Sequence, residues 1–261
     1  MKTTETPTPS RRRSPIFWVP TAYFGMGLPF VVLNMVAVLM YKGLGVSDAK
    51  IAFWTSLIML PWTLKPLWSP LLEMYRTKKF FVVLTQMVSG VTFGLIALSL
   101  HLPSFFAVTI ALFAIVAFSG ATHDVACDGV YMDELNAQEQ AKYIGWQGAF
   151  YNVAKIIGTG LLVYLAGFLK DEYEGPAEDA VLYSWTVIMI ILGVVMFALG
   201  IYHTRMLPSG KHAHSVTSFS QSMTELWNVI RNFFTKRLKE ISERTIRANR
   251  GIIEILKPLR Q

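Results

Sequence analysis

The chain has 261 residues, 53% of them hydrophobic and only 16% charged, with a mean hydropathy of +0.42. Soluble domains carry about 25% charged residues, so a fold that meets water on every side is excluded. The formal charge is +7, and Cys127 is the single cysteine, which excludes an internal disulfide framework.

The N-terminal stretch 1–15 is polar and carries Arg11, Arg12 and Arg13. An apolar run follows from Ile16 to Met40. It outlasts the roughly 7–15 residues of a signal sequence and meets no small-residue cleavage site, so it is expected to stay in the membrane as a first span. A helix needs about 20 apolar residues to cross the hydrocarbon. Six segments meet that length: 16–40, 50–72, 80–101, 104–133, 143–169 and 181–206. Helix is the only option for runs of this kind, because an open sheet would leave backbone groups unpaired in lipid. The expected fold is therefore an all-α membrane protein with a six-span domain over 16–206.

Basic residues set the expected orientation. Arg11 to Arg13, Arg76, Lys78, Lys79, Lys142, Arg205 and Lys211 fall on one side. The other side carries Lys42, Lys50 and Lys170 beside the acidic Asp171, Glu172, Glu174, Glu178 and Asp179. Both termini are then expected to be cytoplasmic. Tyr23, Trp62, Trp68, Tyr75, Trp146 and Tyr173 lie toward span ends, where interfacial aromatics gather.

Beyond Met206 the character changes, and 207–261 reads as a basic cytoplasmic loop and tail. From Arg231 to Gln261 there are nine Lys/Arg and three Glu, a net of +6. A loose helical period over 223–256 fits an amphipathic helix lying on the membrane surface; a partly disordered tail is equally compatible with it. The expected partner of this charge is anionic lipid, at about 1 kcal/mol per basic residue near the surface, and not nucleic acid.

The fourth segment ends with the chemistry. Asp124 and Asp128 stand at i and i+4 and share one helix face, well inside the apolar length. An acid at mid-bilayer costs about 2.5–3.5 kcal/mol even on insertion scales, and such groups usually face a bundle interior or aqueous cavity. Lys65 in the second segment and Lys155 in the fifth lie at similar depths. Burial disfavours the charged carboxylate and a nearby ammonium favours it, so a pairing that changes as helices rock could load and release a proton. Pairing that merely seats the helices remains the alternative. Intramembrane ionisable groups are functional by default, which tilts the reading toward a proton or substrate pathway.

Other sites are weaker. An intramembrane aspartyl protease takes one acid from each of two helices, not two from one turn. His123, Asp124 and Asp128 are a poor metal set because neighbours at i and i+1 face apart. No phosphate-binding loop, His-Glu-x-x-His or Gly-x-Ser-x-Gly occurs, so an enzyme, a cofactor and a metal are not expected. The first span carries Gly25-Met26-Gly27-Leu28-Pro29, which reads as a bend beside a pathway or a packing kink, and then Asn34, a candidate hydrogen-bonding group for substrate. Glu73, with Arg76 and Lys78 after it, sits between two spans and can act as a conformational latch; the basic flank of the positive-inside rule explains the cations but not Glu73.

Together these segments resemble the peptide/acetyl-coenzyme-A transporter family, a branch of the major facilitator superfamily, and within it the AmpG-type muropeptide permeases. The matching residues are Gly27-Leu28-Pro29, Lys65-Pro66-Leu67-Trp68-Ser69-Pro70 with Glu73, Asp124-x-x-x-Asp128, Asp133-x-Leu135, and Tyr151-x-x-x-Lys155-x-x-Gly158. Glu73 to Lys79 resembles the superfamily's signature between spans two and three, with Glu for the usual Asp and without its glycines. The resemblance implies proton-coupled import of a polar solute such as a cell-wall sugar peptide across a bacterial inner membrane. It implies twelve spans in two halves, of which this chain resembles the N-terminal one. A lone half offers one wall of a cavity, lined here by Gly25, Gly27, Asn34 and Asp124. A homodimer or a second-half chain would complete it; a truncated, inactive product or a non-transport scaffold or sensor are the competing expectations.

Overall fold

The computed structural model describes residues 13–69, 72 and 76–209, together with 224, 227–228, 231–232 and 235–239 in the tail. Its regular elements are all helical. In chain order they are α1 (Pro15–Gly43), α2 (Asp48–Ile58) and α3 (Leu60–Leu64), α4 (Lys78–Ser99) and α5 (Phe105–Glu134), α6 (Ala137–Asp171) and α7 (Ala177–Met206). Among the described residues, α1, α4, α5, α6 and α7 are long and apolar enough to cross a membrane, which makes five candidate spans. The described parts of the tail are helical, but most of the expected amphipathic stretch lies outside the described residues.

The expected second span is not one helix. α2 ends at a turn on Met59, α3 lasts five residues, and a single 3-10 turn follows over Lys65–Leu67. Pro61 and Pro66 account for the breaks. Each lacks an N–H, and each ring collides with the carbonyl four residues back, so a regular i→i−4 ladder cannot pass either one. α1 shows a milder form of the same effect: Pro29 lies inside it and a π-helical turn follows over Val32–Val36. α6 also carries a π turn, Ile157–Leu162. Between α5 and α6, a capping box closes the chain reversal. Asn136 Oδ1 accepts from the Glu139 amide at 2.9 Å, and Glu139 Oε2 accepts from the Asn136 amide at 3.0 Å.

The interior has two apolar clusters. One gathers Leu28, Val36, Tyr41, Phe93, Phe113 and Met196 toward the α1–α2 turn, and the other gathers Trp18, Tyr23, Val82, Cys127 and Tyr131 at the opposite end. Between them three helices contribute buried polar groups: Gln86 and Ser89 from α4, Ser119, His123 and Asp124 from α5, and His203 from α7. The candidate site lies in this layer.

Small residues allow the helices to approach. A Cβ on Gly90 would stand 2.8 Å from the Phe197 amide nitrogen and 3.0 Å from the Gly193 carbonyl, and one on Gly193 would stand 2.9 Å from the Gly90 carbonyl. These neighbours are backbone and cannot swing away, as expected where membrane helices associate by close packing. Gly90→Leu is expected to force α4 from α7 and cost about 1–3 kcal/mol, read as a lower thermal midpoint in detergent. Gly25 and Gly27 serve the same purpose, contrary to their expected place on an open half-face. Gly25 is closed over by Gln86 and Gly27 by the backbone and ring of Tyr151.

Candidate functional site

The break between α3 and the turn after it aims two side chains at α5. Trp62 and Lys65 are three residues apart, on one face. The Lys65 ammonium donates to Asp124 Oδ2 at 2.6 Å, and Trp62 Nε1–H donates to the same oxygen at 2.9 Å. Gly120, one turn before Asp124, leaves the space the indole occupies: a Cβ there would meet the Trp62 ring at 2.9 Å. The side chains of Asp124 and Lys65 retain only 11% and 26% of their exposure. Asp124 Oδ1 is buried and has no hydrogen-bond partner among the described residues. One carboxylate oxygen is thus doubly held and the other is available.

Asp128 stands one turn on, but its surroundings differ. It is exposed, and Tyr23 Oη–H donates to its Oδ1 at 2.8 Å. Gln147 Nε2–H in turn donates to the Tyr23 oxygen at 2.6 Å, so α1, α5 and α6 are joined by a Gln147–Tyr23–Asp128 chain. Tyr23 and Trp62, expected as interfacial aromatics, are therefore partners of the two acids instead. The i, i+3 spacing of Trp62 and Lys65 was a signal that could have assigned Trp62. Nothing in the sequence pairs Tyr23 with Asp128 across 105 residues.

Of the two expected cations, the structure brings Lys65 to Asp124 but not Lys155. The Lys155 ammonium lies 4.8 Å over the Tyr151 ring and makes no ion pair among the described residues. Trp62 packs edge-on to Phe30 at 5.5 Å, and Phe30 lies 6.3 Å from Tyr151, so aromatic rings connect the two lysines. Asn34 is exposed in the π turn of α1. Its amide donates to the Phe30 carbonyl at 2.9 Å and approaches Met59 sulfur at 3.4 Å, where α2 ends. Asn34 therefore touches the broken segment.

In the expected latch, Glu73 lies outside the described residues. Arg76 adopts a left-handed backbone, φ 61°, and its guanidinium stands 5.8 Å from the Phe80 ring centre. Lys78 forms an ion pair with Asp133 at 2.9 Å, both side chains largely buried. Asp133, the acid of the Asp133-x-Leu135 motif, thus ties the start of α4 to the end of α5. Gly129 leaves room for the lysine stem.

A second polar chain lies behind Asp124, on the face of α5 that His123 occupies. Gln86 Nε2–H faces His123 Nε2 at 3.0 Å, His203 Nδ1 faces Gln86 Oε1 at 2.8 Å, and Thr21 Oγ1 lies 3.0 Å from His203 Nε2. With the amide so oriented, His123 accepts through Nε2 and His203 donates through Nδ1. Removing Gln86 would orphan two buried imidazole nitrogens, each worth about 1–3 kcal/mol. Gln86→Leu is expected to lower the thermal midpoint clearly, while Gln86→Glu, which keeps the carbonyl oxygen for His203, is expected to lower it less. Among the described residues no cluster of three or more His, Cys, Asp or Glu could hold a metal ion.

Known proteins resemble this chain in sequence. The profile of the Major Facilitator Superfamily matches residues 21–253. An uncharacterized protein of Haemophilus influenzae is 28% identical over 179 residues, which cover 66% of this chain and 40% of that protein. The chain therefore spans less than half the length of that relative.

Proposed function

The chain belongs to the major facilitator superfamily, and from that membership we propose that it forms the N-terminal half of a proton-coupled importer. Superfamily members are generally transporters and not enzymes, and a multi-pass membrane protein with buried acids fits that role. The cargo we propose is a muropeptide-like or other polar organic solute. The resemblance of the span-one, span-two, span-four and span-five motifs to AmpG-type permeases of the peptide/acetyl-coenzyme-A transporter family supports that class. We place the chain in the cytoplasmic membrane, with both termini cytoplasmic, 16–206 as the transmembrane domain, and 207–261 as a basic tail held by anionic lipid.

The observation that carries the reading is the Lys65–Asp124 pair with one carboxylate oxygen left over. An ion pair at this depth is expensive unless it does work. The free oxygen can take a proton or a donor group of the solute, and the lysine can release Asp124 when α3 moves, since α3 is tied to the bundle by short, broken pieces. Asp128, exposed one turn on, exchanges protons with the open side directly, and Tyr23 and Gln147 orient its carboxylate. Asn34 and Lys155 would contact solute from α1 and α6. Lys78, with Arg76 and Glu73, would latch the cytoplasmic end.

One half lines one wall of a cavity, so the proposal requires a complement, either a second copy or a second-half chain. The test is uptake of a labelled muropeptide into proteoliposomes under a proton gradient, with this chain alone and with a second-half partner. Uptake only with the partner supports pairing of halves, and uptake by the chain alone supports a homodimer. No uptake in either overturns the transport reading in favour of an inactive product.

A further inference from the structure

We propose that the groove between α2 and α5 is a binding site for an anionic phospholipid, with one acyl chain in the groove and the headgroup phosphate on Lys50. The groove has a volume of about 530 Å³ and is walled by Trp54 and Ile58 of α2 and by Phe106 and Ala111 of α5, with Ala114 at its far end and Lys50 at its mouth. Ala107, Ala111 and Ala114 are exposed along one side of α5, and their small side chains leave the trough. From Ala107 to Ala114 the helix rises about 10 Å at 1.5 Å per residue. One leaflet is about 15 Å of hydrocarbon, half of about 30 Å, so the trough accommodates most of one acyl chain's depth.

Charge selects the lipid class. Lys50 is exposed, and its ammonium sits 4.1 Å over the Phe106 ring. That contact holds it over the mouth and leaves its other side open. Lys50 has no carboxylate partner among the described residues, whereas two other lysines at this end of the bundle do: Lys42 lies 3.4 Å from Asp48 and Lys170 lies 3.9 Å from Asp171. A basic group at the mouth of an apolar groove between membrane helices attracts the net negative charge of an anionic headgroup, by about 1 kcal/mol per cation near the surface, and gains no such net attraction from a zwitterionic one. The neighbouring groove between α4 and α5, about 550 Å³ and lined by Leu84, Phe118 and Thr122, is equally apolar but has no cation among its lining residues. It offers an acyl chain the same welcome and a headgroup none.

The inference does not depend on the solute or on transport. Its test uses Trp54 as the reporter. The chain is reconstituted in phosphatidylcholine vesicles containing a minor fraction of brominated phosphatidylglycerol or brominated phosphatidylcholine, and the quenching removed by Trp54→Phe is measured. Brominated phosphatidylglycerol is expected to reach Trp54 with about fivefold preference, the effect of one cation beside an anionic headgroup. Lys50→Gln is expected to bring the preference to unity while quenching by both lipids persists. Ala111→Phe, which fills the trough, is expected to reduce quenching by both. Equal quenching in the unaltered chain, a preference that survives Lys50→Gln, or a Trp54 shielded from both lipids by a second copy would each overturn the proposal. Circular dichroism and monodispersity confirm that each variant is folded.

Discussion

Lys65→Met is expected to destabilise the chain by about 3 kcal/mol or more, and adding Asp124→Leu to the same chain is expected to recover most of that loss. The two substitutions act on one contact, 2.6 Å long. Taking away the ammonium leaves a carboxylate in the polar layer with a single indole donor on one oxygen and no partner on the other. An uncompensated buried charge typically costs about 3–5 kcal/mol, whereas replacing both members of a buried pair with apolar groups is often neutral. The lysine retains 26% of its exposure, so the lower end of that range applies. Unfolding by a denaturing detergent titrated into mixed micelles reads the difference. A Lys65→Met chain as stable as the double variant would show that the pair contributes nothing to the folded state. The double variant should also be folded and unable to accumulate solute against a gradient. This separates seating of the helices from transport: a pair kept only to seat α3 on α5 would tolerate the apolar replacement in both readouts.

The parts of this fold that were legible in the sequence are those set by local composition. Runs of about 20 apolar residues declare spans, and three of the six expected segments, the third, fourth and sixth, became single helices over nearly the expected lengths because nothing within them interrupts the ladder. The first and fifth did so with π turns at Val32–Val36 and Ile157–Leu162. The second did not, although its prolines were in plain view. Hydropathy counts Pro61 and Pro66 as tolerable members of a membrane helix, and only the geometry of the ring against the preceding carbonyls makes them breaks. The capping box at Asn136 and Glu139 was likewise legible as Asn-x-x-Glu, and it marks the start of α6 six residues before the apolar run at 143.

The site was half legible for a similar reason. Two acids at i and i+4 within an apolar run stand out in any sequence, and depth along the helices puts both Lys65 and Lys155 within reach of them without choosing between the two. Depth alone cannot give rotation about the helix axis. Lys155 is on the far side of Phe30 and Tyr151 from the acid, and Asp128 meets a tyrosine rather than an amine. Gln86 and His203 escaped notice because a lone Gln or His barely lowers the hydropathy of a 20-residue window. Their significance arises only when α4, α5 and α7 bring them to 2.8–3.0 Å of one another.

Asp128→Asn is expected to leave the fold nearly intact, within about 1 kcal/mol as for an exposed charge, and yet to abolish proton-driven accumulation of solute. Asn keeps an oxygen for the Tyr23 hydroxyl and keeps the volume of the acid, so the Gln147–Tyr23 chain should persist. What it removes is a group that can gain and lose a proton on the open side of the bundle, one turn from the buried Asp124. If Asp128 passes protons between that side and Asp124, solute should still exchange across the membrane in counterflow but should no longer be concentrated by a gradient. Tyr23→Phe supplies the contrast. It cuts the link to Gln147 without touching the carboxylate, so accumulation should be slowed and not lost. The two assays, counterflow and gradient-driven uptake in the same vesicles, distinguish a coupling residue from a solute-binding one, because loss of binding would reduce both together. Full gradient-driven uptake by Asp128→Asn would remove this acid from the proton path and leave Asp124 to act with Lys65 alone.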